Sequence, residues 1–315
     1  MDKKIPVIAV IGPTASGKTG LAVRIAKKFG GEVVSADSMQ IYSELTIGTA
    51  KPTEEEMNGI THHLVGHKSI DDEYSVVNYV DEAKAAINEI YRRGKVPVLC
   101  GGTGLYVDSL LSNTEFSEIK SDPKVRAELF DFIEKNGNEA LFEKLKEIDP
   151  ESADKTHANN VLRVVRAMEV YKVTGKTMSE HQKESHPKPS DYEVCYIGTN
   201  FADRDKLYAR IEQRIDEMLD EGVEHEARFL FEHEGTCTAA QAIGYKEFYP
   251  YFKNEMSMEE AISVLKKETR HYAKRQLTWF RRNGNINWLC WDEFSSKEEL
   301  YEKAFEIIEE FLEKR

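Results

Sequence analysis

The stretch Gly12-Pro13-Thr14-Ala15-Ser16-Gly17-Lys18-Thr19 restricts what this chain can fold into more than any other feature. It stands between an apolar run, PVIAVI at 6–11, and an amphipathic run that continues to Phe29. A buried strand, a glycine-rich turn and a helix N-terminus, in that order, make a cradle for phosphates. The loop's N–H groups and the helix dipole receive anionic oxygens. Gly12, Thr14, Ala15, Ser16 and Gly17 supply the loop, Lys18 adds a positive charge, and the Thr19 hydroxyl is a candidate ligand for Mg2+. The motif leaves open whether a phosphate held there is transferred, is hydrolysed or departs.

Further short apolar runs, at 31–37, 95–102, 192–198 and 286–292, alternate with helical patterns such as 76–93. That alternation predicts an α/β fold, a P-loop NTPase-like, mainly parallel sheet with helices on both faces. Between 117 and 192 the strand pattern stops. The segment reads as helical throughout, broken at KNGN (135–138) and IDPES (148–152). The expected organisation is therefore a first part of the core at 1–116, an all-helical insertion domain at 117–192 and a second part of the core at 193–315. The last part carries a basic helix and a C-terminal docking helix, whose apolar face is Leu300, Ala304, Phe305, Ile308, Phe311 and Leu312.

Of the 315 residues 40% are hydrophobic and 31% charged, which fits a folded globular chain and not a disordered one. No run approaches the roughly 20 apolar residues of a membrane span. The N-terminus enters the first strand with no cleavage pattern. Cys100, Cys195, Cys237 and Cys290 have no Cys-x-x-Cys spacing, so reduced, structural thiols and a cytoplasmic setting are expected. The net charge of −13 argues against a nucleic-acid partner, but the charge is segregated. Residues 266–282 carry seven Lys/Arg against one Glu, with Arg275, Gln276, Trp279 and Phe280 interleaved, and read as a phosphate-backbone footprint. Arg163 and Arg166, with Lys172 and Lys176, form a second basic face.

Asp37 falls at the carboxyl end of the second predicted strand, where ligands bind in open α/β sheets. Three roles are open to it: Mg2+ ligand, general base, or cap for the backbone that follows. Ser38 and Gln40 beside it suit a planar polar ligand. The strand KVPVLC ends in Gly101-Gly102-Thr103-Gly104, where a conventional P-loop NTPase would place a metal-binding Asp. That weakens the case for ordinary ATP hydrolysis. The glycines leave room for a ligand or simply make a tight turn. Arg210 and Arg214, four apart on one helix face, either reach a phosphate or pair with Glu212, Asp216 and Glu217. His62, His63 and His67 lack the partners of a zinc site. AIGYKEFYPY (242–251) either stacks bases or packs a loop.

Together GPTASGKT, SADSMQIY, IGTAKPT, HHLVGHKSIDDEYSV, CGGTGLY, NNVLRVVRAMEVYKVTGKT, RIEQRIDEM, AIGYKE and YAKRQLTWFRR resemble the bacterial tRNA dimethylallyltransferases. The resemblance spans nearly the whole chain in motif order. It implies transfer of a dimethylallyl group from dimethylallyl diphosphate to the exocyclic amine of the adenosine immediately 3′ of the anticodon, in tRNAs reading codons that begin with U. By the same resemblance Thr14, Lys18 and Thr19 hold the diphosphate and its Mg2+. Asp37 is the general base, with Ser38, Met39 and Gln40 near the target base, and Arg214 contacts the diphosphate. Thr103, Arg126, Leu162, Arg163 and Arg166 would meet the tRNA anticodon stem-loop, as would Ala242, Ile243, Gly244, Tyr245 and Lys246. Lys274, Arg275, Gln276, Arg281 and Arg282 complete that surface. A monomer that needs no ATP turnover is expected. The competing readings are a small-molecule kinase, an RNA-binding module with a relict loop, and prenyl transfer to free AMP or ATP.

Overall fold

The apolar run before the phosphate loop becomes the middle of a sheet because both of its faces are covered. In the computed structural model, which describes residues 4–112, 121–184, 189–233 and 238–314, the chain forms two compact units. The first comprises Met1–Leu111 and Ser190–Arg315, the second Ser112–Pro189. The first begins with β1 (Ile5–Ile11), α1 (Lys18–Phe29), β2 (Gly31–Ser35) and β3 (His62–His63), followed by α2 (Val76–Arg92), β4 (Val96–Gly101) and α3 (Gly104–Leu111). The second holds α4 (Pro123–Asn136), α5 (Asn138–Ile148), α6 (Val161–Thr174) and α7 (Met178–Glu184). The first unit then resumes with β5 (Tyr192–Asn200), α8 (Arg204–Glu221), α9 (Val223–Glu232), α10 (Met258–Phe280), β6 (Ile286–Cys290) and α11 (Lys297–Glu313).

All strand pairs are parallel, in the order β3-β2-β4-β1-β5-β6. Ile8 and Val10 of β1 pack with Leu21 and Ile25 of α1 and with Leu300, Ala304 and Ile308 of α11. Val7, Ala9 and Ile11 alternate to the opposite face and are equally buried. Phe29 meets Phe305 edge-on at 5.9 Å, which seats α11 on the end of α1. A second cluster joins α8, α9 and α10 through Ile211, Ile215, Ala227, Leu230 and Leu265, with Ile41 and Leu45 from the segment after β2.

The expected P-loop, mainly parallel architecture is the one observed. The strand that sequence patterning does not reach is β3. It has two residues, too few to show a period, and pairs only with Val33 and Val34 at the sheet edge. His63 there contacts the buried carboxylate of Glu32 at 2.7 Å, and Arg93 and Lys95 reach the same group. His62 bonds its own chain at Ile60, and His67 bonds Glu82. These histidines hold the fold, and the described residues contain no cluster of three metal-ligating side chains.

Helix limits follow local chemistry. Ser75 and Ser257 begin α2 and α10 with reciprocal capping boxes to Asn78 and Glu260. The helical unit has its own core, built on Leu129, Leu141, Leu145, Val164 and Met168. Its breaks fall where the sequence marks them: Gly137 at φ 83° between α4 and α5, and Asp149-Pro150 after α5. The expected limit between 116 and 117 lies outside the described residues, as does Cys237. The other thiols, Cys100, Cys195 and Cys290, are free, and burial pushes each up to about 11, so they stay protonated. Among the described residues no helix is long and apolar enough to cross a membrane.

Candidate active site

Register decides which loops meet. Ile11 of β1 is level with Gly101 of β4 and Gly198 of β5, and Ser35 of β2 is level with Cys100. The phosphate loop, the Asp37 turn and the Gly102-Thr103 turn therefore leave the sheet at one edge, beside the central strand where the order reverses.

The phosphate loop is held from behind. Gly12 cannot carry a side chain, since a Cβ would lie 2.4 Å from the Thr199 carbonyl. Gly17, at φ 78°, is the N-cap of α1. The Ser16 and Thr199 hydroxyls share a hydrogen bond of 2.8 Å, and Trp291 Nε1 donates to the Ser16 carbonyl at 2.6 Å. Ala15 sits at φ 59°, a left-handed conformation that costs a non-glycine residue about 1 kcal/mol. Arg210 Nε donates to the Ala15 carbonyl at 3.2 Å and supports that turn. Of the two arginines four apart on α8, Arg210 thus braces the loop, while Arg214 lines the cavity in front of it.

That cavity, about 380 Å³, is lined by two kinds of side chain. Its lining mixes polar groups, from Thr14, Lys18, Thr19, Asp37 and Arg214, with apolar side chains, from Ile211, Ile215, Met218, Val223, Ile243 and Leu265. Ser38, Met39 and Gln40, the 48–50 segment, Tyr272, Arg275 and residues 242–246 complete the wall. Burial draws the Lys18 pKa down, Cys100 and Asp37 pull it up, and Arg214 opposes them. Burial is also the main cause that lowers Arg214. Two cations and one carboxylate so share a poorly solvated space, where charge interactions are stronger than in water.

Asp37 Oδ1 accepts the N–H groups of Met39 at 2.9 Å and Gln40 at 3.3 Å. The capping role is therefore real, and the hydrogen bonds accepted by this carboxylate among the described residues fall on that one oxygen. Thr103 is not in the cavity wall: its hydroxyl accepts the Ser38 N–H at 3.1 Å and so sets the Asp37 turn. Gln40 Nε2 donates to the carbonyls of Thr49 and Ala50. The glycines around Thr103 make room for the protein itself. A Cβ on Gly101 would meet Ala36, one on Gly102 would meet Gln276, and one on Gly104 would meet Trp279. Helix α10 lies directly on this turn.

On α10 and the two residues that follow it the positive charge divides in two. Lys266 and Arg270 pair with Asp216 and Glu212 of α8. Lys274, Arg275, Arg281 and Arg282 are exposed and make no ion pair among the described residues. Arg282 stacks on Trp279 at 4.1 Å, and Trp279 Nε1 donates to Asp108 at 2.7 Å. Gln276 faces the other way and is buried. In the helical unit, Arg126 and Arg166 both bind the buried carboxylate of Glu169, at 3.0 and 2.9 Å, while Leu162 and Arg163 are exposed. Tyr272 and the 48–50 segment lie within the quoted stretches YAKRQLTWFRR and IGTAKPT but were given no role from the sequence, and Trp291 was not named as a site residue. Only the folded chain brings them to the cavity and the loop.

A parallel sheet with a phosphate cradle at its switch point, fronted by a cavity of mixed lining, defines a P-loop α/β protein. The comparison with known families agrees. The family model for IPP transferase matches residues 40–283, and the chain belongs to that family. It is 49% identical to the tRNA dimethylallyltransferase of Acetivibrio thermocellus over 93% of this chain and 94% of that one. It is 46% identical to the enzyme of the same name from a Thermoanaerobacter species, over 96% and 98%. The full-length tRNA isopentenylpyrophosphate transferase of Bacillus halodurans superposes with a TM-score of 0.72 at 41% identity, covering 99% of this chain and all of that one. A eukaryotic dimethylallyltransferase acting on tRNA superposes with a TM-score of 0.79 at 31% identity, covering 99% and 80%.

Proposed function

We propose that this protein transfers a dimethylallyl group from dimethylallyl diphosphate to the exocyclic amine of the adenosine 3′ of the anticodon, in tRNAs reading codons that begin with U. The observation that carries it is the mixed lining of the cavity. Residues of the phosphate cradle and several apolar side chains line one space, which suits an allylic chain joined to a diphosphate.

The chemistry needs little activation of the donor, because the positive charge that develops on the allylic carbon is delocalised. The protein's task is to stabilise the departing diphosphate, and the loop amides, Lys18 and Arg214 offer preorganised positive charge for it. The adenine amine is a weak nucleophile, since its lone pair is conjugated into the ring. As its nitrogen bonds to the allylic carbon and the carbon–oxygen bond breaks, Asp37 takes up the amine proton. A stacked base cannot reach this space, so the nucleotide flips out of its stack to enter it. The exposed residues Lys274 and Arg275 of α10, and Arg281 and Arg282 just after it, with Leu162 and Arg163 of α6, serve the tRNA.

Thr19 and Asp37 offer a hydroxyl and a carboxylate to one cavity, a hard-oxygen donor set that suits Mg2+ shared with substrate oxygens and water. When bound, Mg2+ would neutralise charge on the diphosphate oxygens. All the residues named belong to one chain, so a monomer suffices, and the tRNA substrate puts its work in the cytoplasm.

The test is an assay with labelled dimethylallyl diphosphate and Mg2+, offering unmodified tRNA or AMP as acceptor. Label should enter tRNA only, and Lys18→Ala should lower the rate by about 10²–10³, as loss of a preorganised charge contact does. Label in AMP, or none in tRNA with ATP hydrolysed instead, would overturn the assignment.

A further inference from the structure

Glu226, on α9, was not expected to take part in any site, yet its carboxylate gathers an unusual number of donors. Oε1 accepts the Thr46 N–H at 2.6 Å, the Thr46 hydroxyl at 3.1 Å and the Ile47 N–H at 3.1 Å. Oε2 accepts the Gly48 N–H at 2.8 Å and the Tyr245 hydroxyl at 2.8 Å. Gly48 and Tyr245 are both walls of the cavity, and they touch so closely that a Cβ on Gly48 would lie 2.6 Å from the Tyr245 ring. Beyond Gly48 the chain is caught again, where Gln40 Nε2 donates to the carbonyls of Thr49 and Ala50. Gln40 itself follows the Asp37 turn. The 46–50 segment is thus pinned at one end by Glu226 and at the other by the turn that carries Asp37.

We propose that Glu226 is a positioning residue: its carboxylate fixes the 46–50 segment and Tyr245 as the cavity wall next to Asp37, and so sets where the acceptor base sits. Charge matters here, because backbone N–H groups cannot reverse. An amide in place of the carboxylate would turn its NH2 group toward either the Thr46–Ile47 donors or Gly48, and one set would lose its acceptor. The phosphate loop makes no contact with Glu226 among the hydrogen bonds above, so the two functions separate. This inference rests on the transfer reaction proposed above.

The experiment compares wild type, Glu226→Gln and Glu226→Asp. The readouts are alkyl transfer to tRNA, binding of inorganic diphosphate with Mg2+ by calorimetry, and hydrogen exchange of the peptide covering residues 45–50. Glu226→Gln should lower kcat at least tenfold and speed exchange of that peptide about tenfold. Diphosphate affinity should stay within twofold, and Glu226→Asp should recover part of kcat. Unchanged kcat in Glu226→Gln, or parallel loss of kcat and diphosphate affinity, would overturn the proposal. If Glu226→Gln does not fold, Glu226→Asp carries the same comparison, and wild-type kcat and exchange in that shortened side chain would overturn it. A wild-type protein that fails to alkylate tRNA would instead overturn the reaction itself.

Discussion

The side-chain carbonyl of Gln276 accepts the Thr14 N–H at 2.8 Å, across 262 residues of sequence. Its amide nitrogen donates to the Gly102 carbonyl at 2.9 Å. One buried side chain therefore joins helix α10, whose outer face is basic, to the phosphate loop and to the end of β4. In the sequence Gln276 is one of several polar residues in a basic stretch, and nothing there distinguishes it from Arg275.

Gln276→Ala should leave the Thr14 N–H and the Gly102 carbonyl without partners, costing about 1–3 kcal/mol of stability. The KM for dimethylallyl diphosphate should rise about tenfold, with a smaller change in the KM for tRNA. Steady-state kinetics with each substrate varied in turn checks this. A change confined to tRNA would show that the side chain acts on the nucleic acid and not on the loop.

Asp37 holds two backbone N–H groups on one oxygen, so capping and proton transfer can be separated by substitution. Asp37→Asn keeps an oxygen acceptor and should retain the melting temperature while losing about 10²–10⁴ in kcat. Asp37→Ala should lose the same rate and, in addition, about 1 kcal/mol of stability. An active Asp37→Asn enzyme would reduce this residue to a cap.

The helical unit should be sensitive to acid through Glu169. Burial pulls its pKa up, but hydrogen bonds from Ser121, Arg166 and Arg126 outweigh that and hold it below the ordinary 4.5. A depressed native pKa means that the stabilisation is complete above about pH 4.5 and is lost as pH falls through the native value. Glu169→Gln should lower stability at pH 7 by about 2 kcal/mol and flatten the acid limb of the unfolding curve. Denaturant melts from pH 3 to 7 measure both.

Binding of tRNA should weaken as salt rises, because Lys274, Arg275, Arg281 and Arg282 are exposed and make no ion pair among the described residues. Lys274→Gln should reduce the slope of log K against log salt by about 1, whereas Lys266→Gln, whose ammonium already pairs with Asp216, should change it little. Filter binding of an anticodon stem-loop at several salt concentrations gives both slopes.

The sequence by itself determined the phosphate loop, the five longer strands and the helical character of the segment between β4 and β5. Each rests on a local regularity: a glycine spacing, an apolar run, a helical period, a proline or glycine stop. It also singled out Asp37, Arg214 and the basic stretch of α10, because charge at a strand end or on one helix face is visible without folding. Only the tertiary structure decided what those groups touch. It assigned Lys266 and Arg270 to ion pairs and Lys274 and Arg275 to solvent, and it showed that the glycines after β4 make room for α10. It also brought Glu226 to the back of the cavity wall and Trp291 to the loop from far along the chain. The reason is physical. Periodicity reports the surroundings averaged along a single element, whereas a hydrogen bond between residues hundreds of positions apart depends on sheet register and helix packing, which no single element encodes.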